Sequence, residues 1–83
     1  MALTSYDAFQ ALRVIISNTA TNRLGASEIE ADMHLDAAGD RSEVVPLIVM
    51  MMEDHFDISI SDEEASNFRT VADLIDFIVK RVN

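Results

Sequence analysis

The sequence predicts an all-α domain with four helices, of which three are longer and the third is short. Apolar residues make up 49% of the 83 residues, and several stretches space them three and four positions apart, as one face of a helix requires. Two Gly and one Pro leave little material for the tight turns of β-hairpins. Ser, Thr or Asp stands before most of these apolar stretches, in the position that caps a helix.

The composition limits what the chain can be. Its length is enough for one compact core, so we expect residues 1–83 to form a single domain. The absence of cysteine excludes disulfides and thiol catalysis and fits a reducing compartment. No uncharged run is longer than residues 44–52, which are far fewer than the roughly 20 residues that cross a bilayer. We therefore expect a cytoplasmic protein without a membrane-spanning segment.

The net charge of −9 points to the kind of partner. Nucleic acids and anionic membrane surfaces are bound through clustered Lys and Arg, so we expect neither as a partner. The acids are concentrated from Glu28 to Glu64, where twelve acidic residues accompany one base, Arg41. This distribution predicts a partner protein with a basic surface. The alternative is an acidic face that only keeps the protein soluble.

The first helix is predicted to begin after the cap residue Thr4 and to end either within residues 18–22 or near Leu24, with Gly25 as the cap. The following stretch, residues 26–40, is acidic and aperiodic and predicts a long loop. We expect three apolar residues to fix its course, namely Ile29, Met33 and Leu35. Loops of this length in compact domains are usually functional.

The second helix is predicted from Ser42 to Phe56. Asp40 and Ser42 can each cap it, and Pro46 is tolerated only near the first turn. One apolar face is formed by Val45, Ile48, Val49, Met52 and Phe56. Four more apolar residues lie off this face, namely Pro46, Leu47, Met50 and Met51. A helix that is apolar on nearly all sides favours contact with a partner, because a domain of this size cannot bury all of it.

The remaining chain predicts two more helices. Ser61 and Glu64 have the spacing of a capping box, and the helix they begin must be short because Thr70 and Asp73 begin another. The last helix has the clearest apolar face, formed by Val71, Leu74, Ile75, Ile78, Val79 and Val82. An enzyme is disfavoured, since the predicted fold places no histidine, second nucleophile or carboxylate pair with Ser42. The spacing from Asp36 to Glu43 does not match a calcium-binding loop.

These features together resemble the acyl carrier protein family. The family motif is usually G-x-D-S-L, and its serine stands fourteen residues before the phenylalanine of E-E-x-F. Here Gly39 matches the glycine, and Ser42 stands fourteen residues before Phe56 in E-D-H-F. Further matches in register are Asp57, Ile60, residues 62–65, Thr70, Val71 and Ile78. The resemblance implies a four-helix carrier-protein bundle with a long first loop.

The resemblance also implies a function. In such proteins a transferase joins the serine to 4′-phosphopantetheine, whose thiol carries acyl groups as thioesters in fatty acid, polyketide or related biosynthesis. It assigns attachment of the cofactor to Ser42, and we expect the neighbouring residues Arg41 and Glu43 to be part of the cofactor-binding site. It implies as partners a phosphopantetheinyl transferase and acyl-processing enzymes with basic or apolar docking patches, while the carrier itself is not an enzyme.

Partner contact is predicted along the second helix, and the residues expected to make it are Pro46, Leu47, Met50, Glu53 and Asp54. The chain departs from the family at Arg41, which replaces the usual Asp, at Glu43, which replaces Leu, and at Leu47, where an acid is common. These changes favour an alternative, a carrier-like interaction module in which Ser42 only caps the helix. We expect a monomer, and a dimer through the second helix is the other arrangement considered.

Overall fold

The computed structural model describes residues 2–20 and 23–83. Its four α-helices are α1 (Ser5–Thr19), α2 (Arg41–Phe56), α3 (Asp62–Ala65) and α4 (Val71–Val82), and two 3₁₀ turns, Ala26–Glu28 and Leu35–Ala38, lie between α1 and α2. In the described ranges, β-pairing is limited to one isolated antiparallel bridge between His34 and Thr70. The predicted all-α fold, with a short third helix, is confirmed.

Hydrogen-bonding caps begin the helices at the predicted residues. Thr4 accepts a hydrogen bond from the Asp7 backbone N–H at 3.1 Å and caps α1. Ser61 and Glu64 form the predicted capping box of α3, with both bonds between 3.0 and 3.1 Å. Thr70 and Asp73 form that of α4. The backbone N–H groups of Arg69 and then of Thr70 donate to the Asp73 carboxylate and lower its pKa below the ordinary value.

The end of α1 differs from one of the two predicted alternatives. The helix ends at Thr19, and the Ala20 N–H donates to the Ile16 carbonyl. Residues 21 and 22 lie outside the described residues. Continuation to a cap at Gly25 is wrong, because the Gly25 N–H donates to the Glu28 carboxylate at 3.0 Å and so belongs to the next turn.

The core forms where α1 packs against both α4 and α2. Its residues form one cluster, and those with less than 2% of their surface exposed and the largest side chains are Leu12, Ile16, Ile29, Leu35, Ile48, Met52, Leu74, Ile78, Val44 and Val71. Val44 was missing from the predicted apolar face of α2, whereas Val49 and Phe56 are only half-buried. Compared with the predicted apolar face, the buried face of α2 is therefore rotated towards Val44. No helix in residues 2–20 or 23–83 has both the length and the apolar character needed to cross a membrane.

The long loop before α2 is fixed against the start of α4. The Leu35 N–H donates to the Arg69 carbonyl at 2.9 Å, and the Val71 N–H donates to the Met33 carbonyl at 3.0 Å. Ile29 and Leu35 are almost fully buried, as predicted, and Met33 is half-buried. These contacts give the loop a defined course, and they place the first residue of α2 next to α3.

Candidate functional site

Ser42 is the second residue of α2, and its side chain is exposed. Its hydroxyl donates to Asp40 Oδ1 at 2.9 Å, and its backbone N–H donates to the same oxygen at 3.0 Å. Asp40 therefore caps the helix. The interpretation of Ser42 as a capping residue is wrong, because α2 begins one residue earlier than predicted and the cap position falls on Asp40.

Gly39 fixes the direction in which the chain enters α2. Its φ of 140° and ψ of −166° lie in a region that residues with a side chain rarely adopt. The second 3₁₀ turn ends here, since the Gly39 N–H donates to the Asp36 carbonyl at 3.2 Å. Glycine is thus needed at this position because of its backbone conformation. The residues after it form the first turn of α2.

Three amides at the start of α2 already have acceptors. The Asp40 carbonyl accepts from the N–H groups of Glu43 and Val44, both at 2.9 Å, and the Asp40 carboxylate accepts from Ser42. A helix N-terminus usually offers such amides to an anion. At this helix the N–H groups of Ser42, Glu43 and Val44 are satisfied by Asp40, so an anion beside Ser42 depends more on charged side chains nearby.

Pro46 lies deeper in α2 than expected, as the sixth residue of the helix. Proline has no N–H, so the Ser42 carbonyl lacks the i→i−4 hydrogen bond that a helix would normally give it. Pro46 is thus one residue deeper in the helix than a start at Ser42 would place it. The turn that carries Ser42 is consequently joined to the rest of α2 by one backbone bond fewer.

A cleft of about 500 Å³ opens beside Ser42, between the start of α2 and the end of α3. Its lining is formed by Asp40, Arg41, Ser42, Val45, Pro46, Ala65 and Ser66. The Ser66 hydroxyl donates to the Glu63 carbonyl at 2.6 Å, which leaves its oxygen free to accept. The cleft thus combines apolar walls with one acidic residue, Asp40, one basic residue, Arg41, and two serines.

A second cleft of about 300 Å³ continues from the first along the same side of α2. Val45, Pro46 and Ala65 line both clefts. The second cleft extends past Met50 and ends near Ile60. The two form one groove between α2 and α3 that begins at Ser42, and we call it the α2–α3 groove.

The outer face of α2 carries apolar residues between acids. Leu47 is 42% exposed and Met50 is 57% exposed. Glu43 and Asp54 are also exposed, and the four residues recur at spacings of four, three and four along the helix. They therefore share one face, which we call the outer face of α2.

The five residues predicted for partner contact divide between the sides of α2. Pro46, Met50 and Glu53 line the α2–α3 groove. Leu47 and Asp54 lie on the outer face, and Asp54 also borders a cleft of about 320 Å³ between α1 and α2. Glu53 is half-buried, and its carboxylate accepts the Ile60 N–H at 2.9 Å. This bond holds the extended connector between α2 and α3.

Arg41 is half-buried at the edge of the groove. Within the described residues, the one ion pair closer than 4 Å joins Arg81 to Glu64, so no carboxylate lies that close to Arg41. Glu64 also anchors α3, where the Ser61 backbone N–H is the main group that lowers the pKa of this carboxyl. The guanidinium of Arg41 is therefore available to an anion near Ser42.

Sequence reasoning missed three features of this site. The contact between Ser42 and Asp40 was not foreseen, although their spacing of two residues is that of an Asx turn. Ala65 and Ser66 were not expected beside Ser42, and no local pattern could have placed them there, because the packing of α3 decides it. The predicted residues Arg41, Ser42 and Pro46 do meet at one cleft, while Asp54 does not reach it.

Comparison with known proteins finds relatives that include an acyl carrier protein. No family model matches the chain. The acyl carrier protein of Syntrophobacter fumaroxidans is 40% identical over 74 residues, which cover 84% of this chain and 90% of the relative. This identity extends over most of both chains, and it agrees with the four-helix fold. The chain therefore belongs to the acyl carrier protein family.

Proposed function

We propose that the protein is an acyl carrier whose Ser42 bears 4′-phosphopantetheine. The observation that carries this proposal is the exposed Ser42 hydroxyl at the start of α2, beside the α2–α3 groove, in a chain of this family. Because Asp40 caps the helix, the Ser42 hydroxyl is not needed for that purpose. A separate transferase would attach the arm, and the enzymes that use the acyl group would do the remaining chemistry.

The residues present suit a phosphopantetheine arm. Phosphopantetheine supplies a thiol, which holds an acyl group as a thioester. The protein has no cysteine, so its own residues offer no thiol for this purpose. Val45 and Pro46 offer apolar contact to the chain of the arm, and the Ser66 hydroxyl oxygen can accept from its amides. The α2–α3 groove is therefore the surface on which we place the arm.

Arg41 is proposed as the counter-ion of the phosphodiester. It is next to Ser42 in the sequence, lines the same cleft and has no carboxylate within 4 Å in the described part of the chain. The N–H groups of Ser42, Glu43 and Val44 are already bonded to Asp40, which leaves the guanidinium as the main source of positive charge beside Ser42. Glu43, also beside Ser42 and exposed, would face the transferase and favours one with a cation opposite it.

The partners proposed for this carrier are its transferase and acyl-processing enzymes of fatty acid, polyketide or related biosynthesis. The outer face of α2 offers two exposed apolar side chains, Leu47 and Met50, with Glu43 and Asp54 at its ends. A complementary partner surface would have an apolar centre and basic residues at its edges. We expect Glu53 to contribute less to partner binding than predicted, because its carboxylate accepts the Ile60 N–H of the connector.

The test of the proposed function is the mass of the protein after co-expression with a broad-range phosphopantetheinyl transferase. We expect the intact protein to gain the mass of one arm, and peptide mapping to locate it on Ser42. Absence of added mass with every transferase tried would contradict the proposal. Loading of the thiol with an acyl group, followed by thioester cleavage with hydroxylamine, then tests the carrier role itself.

A second candidate function is an unmodified interaction module that binds its partner through α2. The exposure of Leu47 and Met50 favours it, since such side chains are usually covered by a partner when they share one face. Under this candidate Ser42→Ala leaves activity in the cell intact.

Leu47→Asp is expected to weaken binding of an isolated partner enzyme by about ten-fold or more under either candidate, because truncating a central apolar contact of an interface typically costs about 1 to 2 kcal/mol or more. Isothermal titration calorimetry with the purified partner measures the change. Val14→Asp is the control, since Val14 is also an exposed apolar residue, 55% exposed, and lies on α1. Equal losses for both variants would show that charge alone, and not the outer face, determines binding.

A further inference from the structure

We propose that Asp40 accepts the proton of the Ser42 hydroxyl while the arm is being attached, so that this chain supplies a catalytic group for its own modification. The proposal deepens the proposed function and rests on it. It assigns a role to a residue that lies one position before the one where the family motif has its aspartate, since Arg41 stands at the motif position.

The geometry places the carboxylate on the reacting atom. Ser42 Oγ lies 2.9 Å from Asp40 Oδ1, and the Ser42 backbone nitrogen lies 3.0 Å from the same oxygen. Two hydrogen bonds to one acceptor hold both the backbone and the side chain of Ser42 in a single orientation. Because Ser42 is exposed, the lone pairs of its hydroxyl oxygen remain open to an incoming phosphoryl group.

The chemistry needs a proton acceptor at this position. A serine hydroxyl is a weak nucleophile unless a base accepts its proton as the new bond forms. In protein kinases an aspartate serves in this way, by accepting the proton of the substrate hydroxyl during phosphoryl transfer. Asp40 has the same relation to Ser42, with the difference that it belongs to the protein being modified.

The step balances with coenzyme A, a phosphoanhydride of phosphopantetheine, as the co-reactant. Ser42 Oγ forms a bond to the phosphorus that carries pantetheine, and the anhydride P–O bond breaks. Adenosine 3′,5′-bisphosphate leaves with the electron pair of that bond. The Ser42 proton passes to Asp40 Oδ1 and from there to water, and nothing is oxidised or reduced.

No other described residue near Ser42 fits this role as well. Arg41 carries no lone pair that could accept a proton. Glu43 is exposed and follows Ser42 on the outer face of α2, and the Ser42 hydroxyl donates to Asp40 instead. Asp40 is also held in place by the backbone, since its carbonyl accepts from Glu43 and Val44. Asp40 is thus both near the hydroxyl and fixed in position.

The test compares Asp40→Asn with the unchanged protein as substrates of one transferase, with coenzyme A as donor and the arm measured by mass. Asparagine caps helices as well as aspartate does, so the thermal unfolding midpoint should change little. We expect kcat to fall by about 10²- to 10⁴-fold, the usual contribution of a general base, with KM nearly unchanged.

Asp36→Asn is the matched control, because the substitution removes one exposed acid from the turn just before Asp40. Asp36 is not hydrogen-bonded to Ser42, whose hydroxyl and N–H both donate to Asp40. We expect it to leave kcat unchanged and to report any loss of docking as a change in KM. An Asp40→Asn variant that is modified at the normal rate, or that changes only KM, would overturn the inference and leave the proposed function intact. Failure of the unchanged protein to accept the arm would overturn both.

Discussion

Ser42→Ala is expected to abolish attachment of the phosphopantetheine arm, because alanine has no oxygen to bond to phosphorus. The variant should keep its fold. Asp40 caps α2, and the hydroxyl that is lost makes only one exposed hydrogen bond, to Asp40. A surface change of this kind usually alters stability by no more than about 0.5 kcal/mol. Intact-protein mass after incubation with a transferase and coenzyme A measures attachment, and urea unfolding measures stability.

Two further variants serve as controls for Ser42→Ala, one for attachment of the arm and one for stability. Ser66→Ala removes a hydroxyl from the opposite wall of the same cleft and should still accept one arm. Asp40→Ala removes the cap and should cost about 0.5 to 2 kcal/mol, more than Ser42→Ala does. An arm on Ser42→Ala would show that another residue is modified. A stability loss for Ser42→Ala as large as that for Asp40→Ala would return the capping role to the serine.

Ile48→Ala is expected to destabilise the protein by about 2 to 5 kcal/mol, the range found for removing large aliphatic side chains from a core. Ile48 is 0% exposed and lies on the face of α2 that packs into the core. Small domains are stable by only about 5 to 15 kcal/mol, so this loss is a large share of the total. Urea unfolding followed by circular dichroism gives the change in midpoint at constant m.

Leu47→Ala is the control for this experiment, because Leu47 precedes Ile48 in the sequence but is 42% exposed. Its expected cost is clearly smaller, since truncation leaves no closed cavity. Similar losses for the two variants would mean that the outer face of α2 is covered in the free protein, for example by a second copy of the chain. Sedimentation of both proteins would then show a dimer.

The helices themselves follow from local signals. Thr4, Ser61 and Thr70 were each recognised as caps because the groups that they bond lie three residues away in the chain. The apolar spacing of α4 likewise predicted its buried residues, among them Leu74 and Ile78. Interactions between residues three or four positions apart leave a pattern in the sequence, so the sequence predicts them.

The start of α2 does not follow from local signals alone. Asp40 and Ser42 have similar preferences for the cap position, and local preference does not decide between them. In the structure, the turn after Leu35 and the backbone of Gly39 bring the chain into the helix one residue earlier, at Arg41. That shift makes Asp40 the cap and leaves the Ser42 hydroxyl on its carboxylate.

The sequence by itself determined the helical fold, the long loop and the serine on which the proposed function depends, because each rests on residues close together in the chain. Only the tertiary structure decided which atoms surround that serine. Ala65 and Ser66 reach it because α3 packs beside the start of α2. The loop before α2 is held by bonds to the Arg69 carbonyl and the Val71 N–H, more than thirty residues further along. Contacts over such separations leave no local pattern, and they fix the groove beside Ser42.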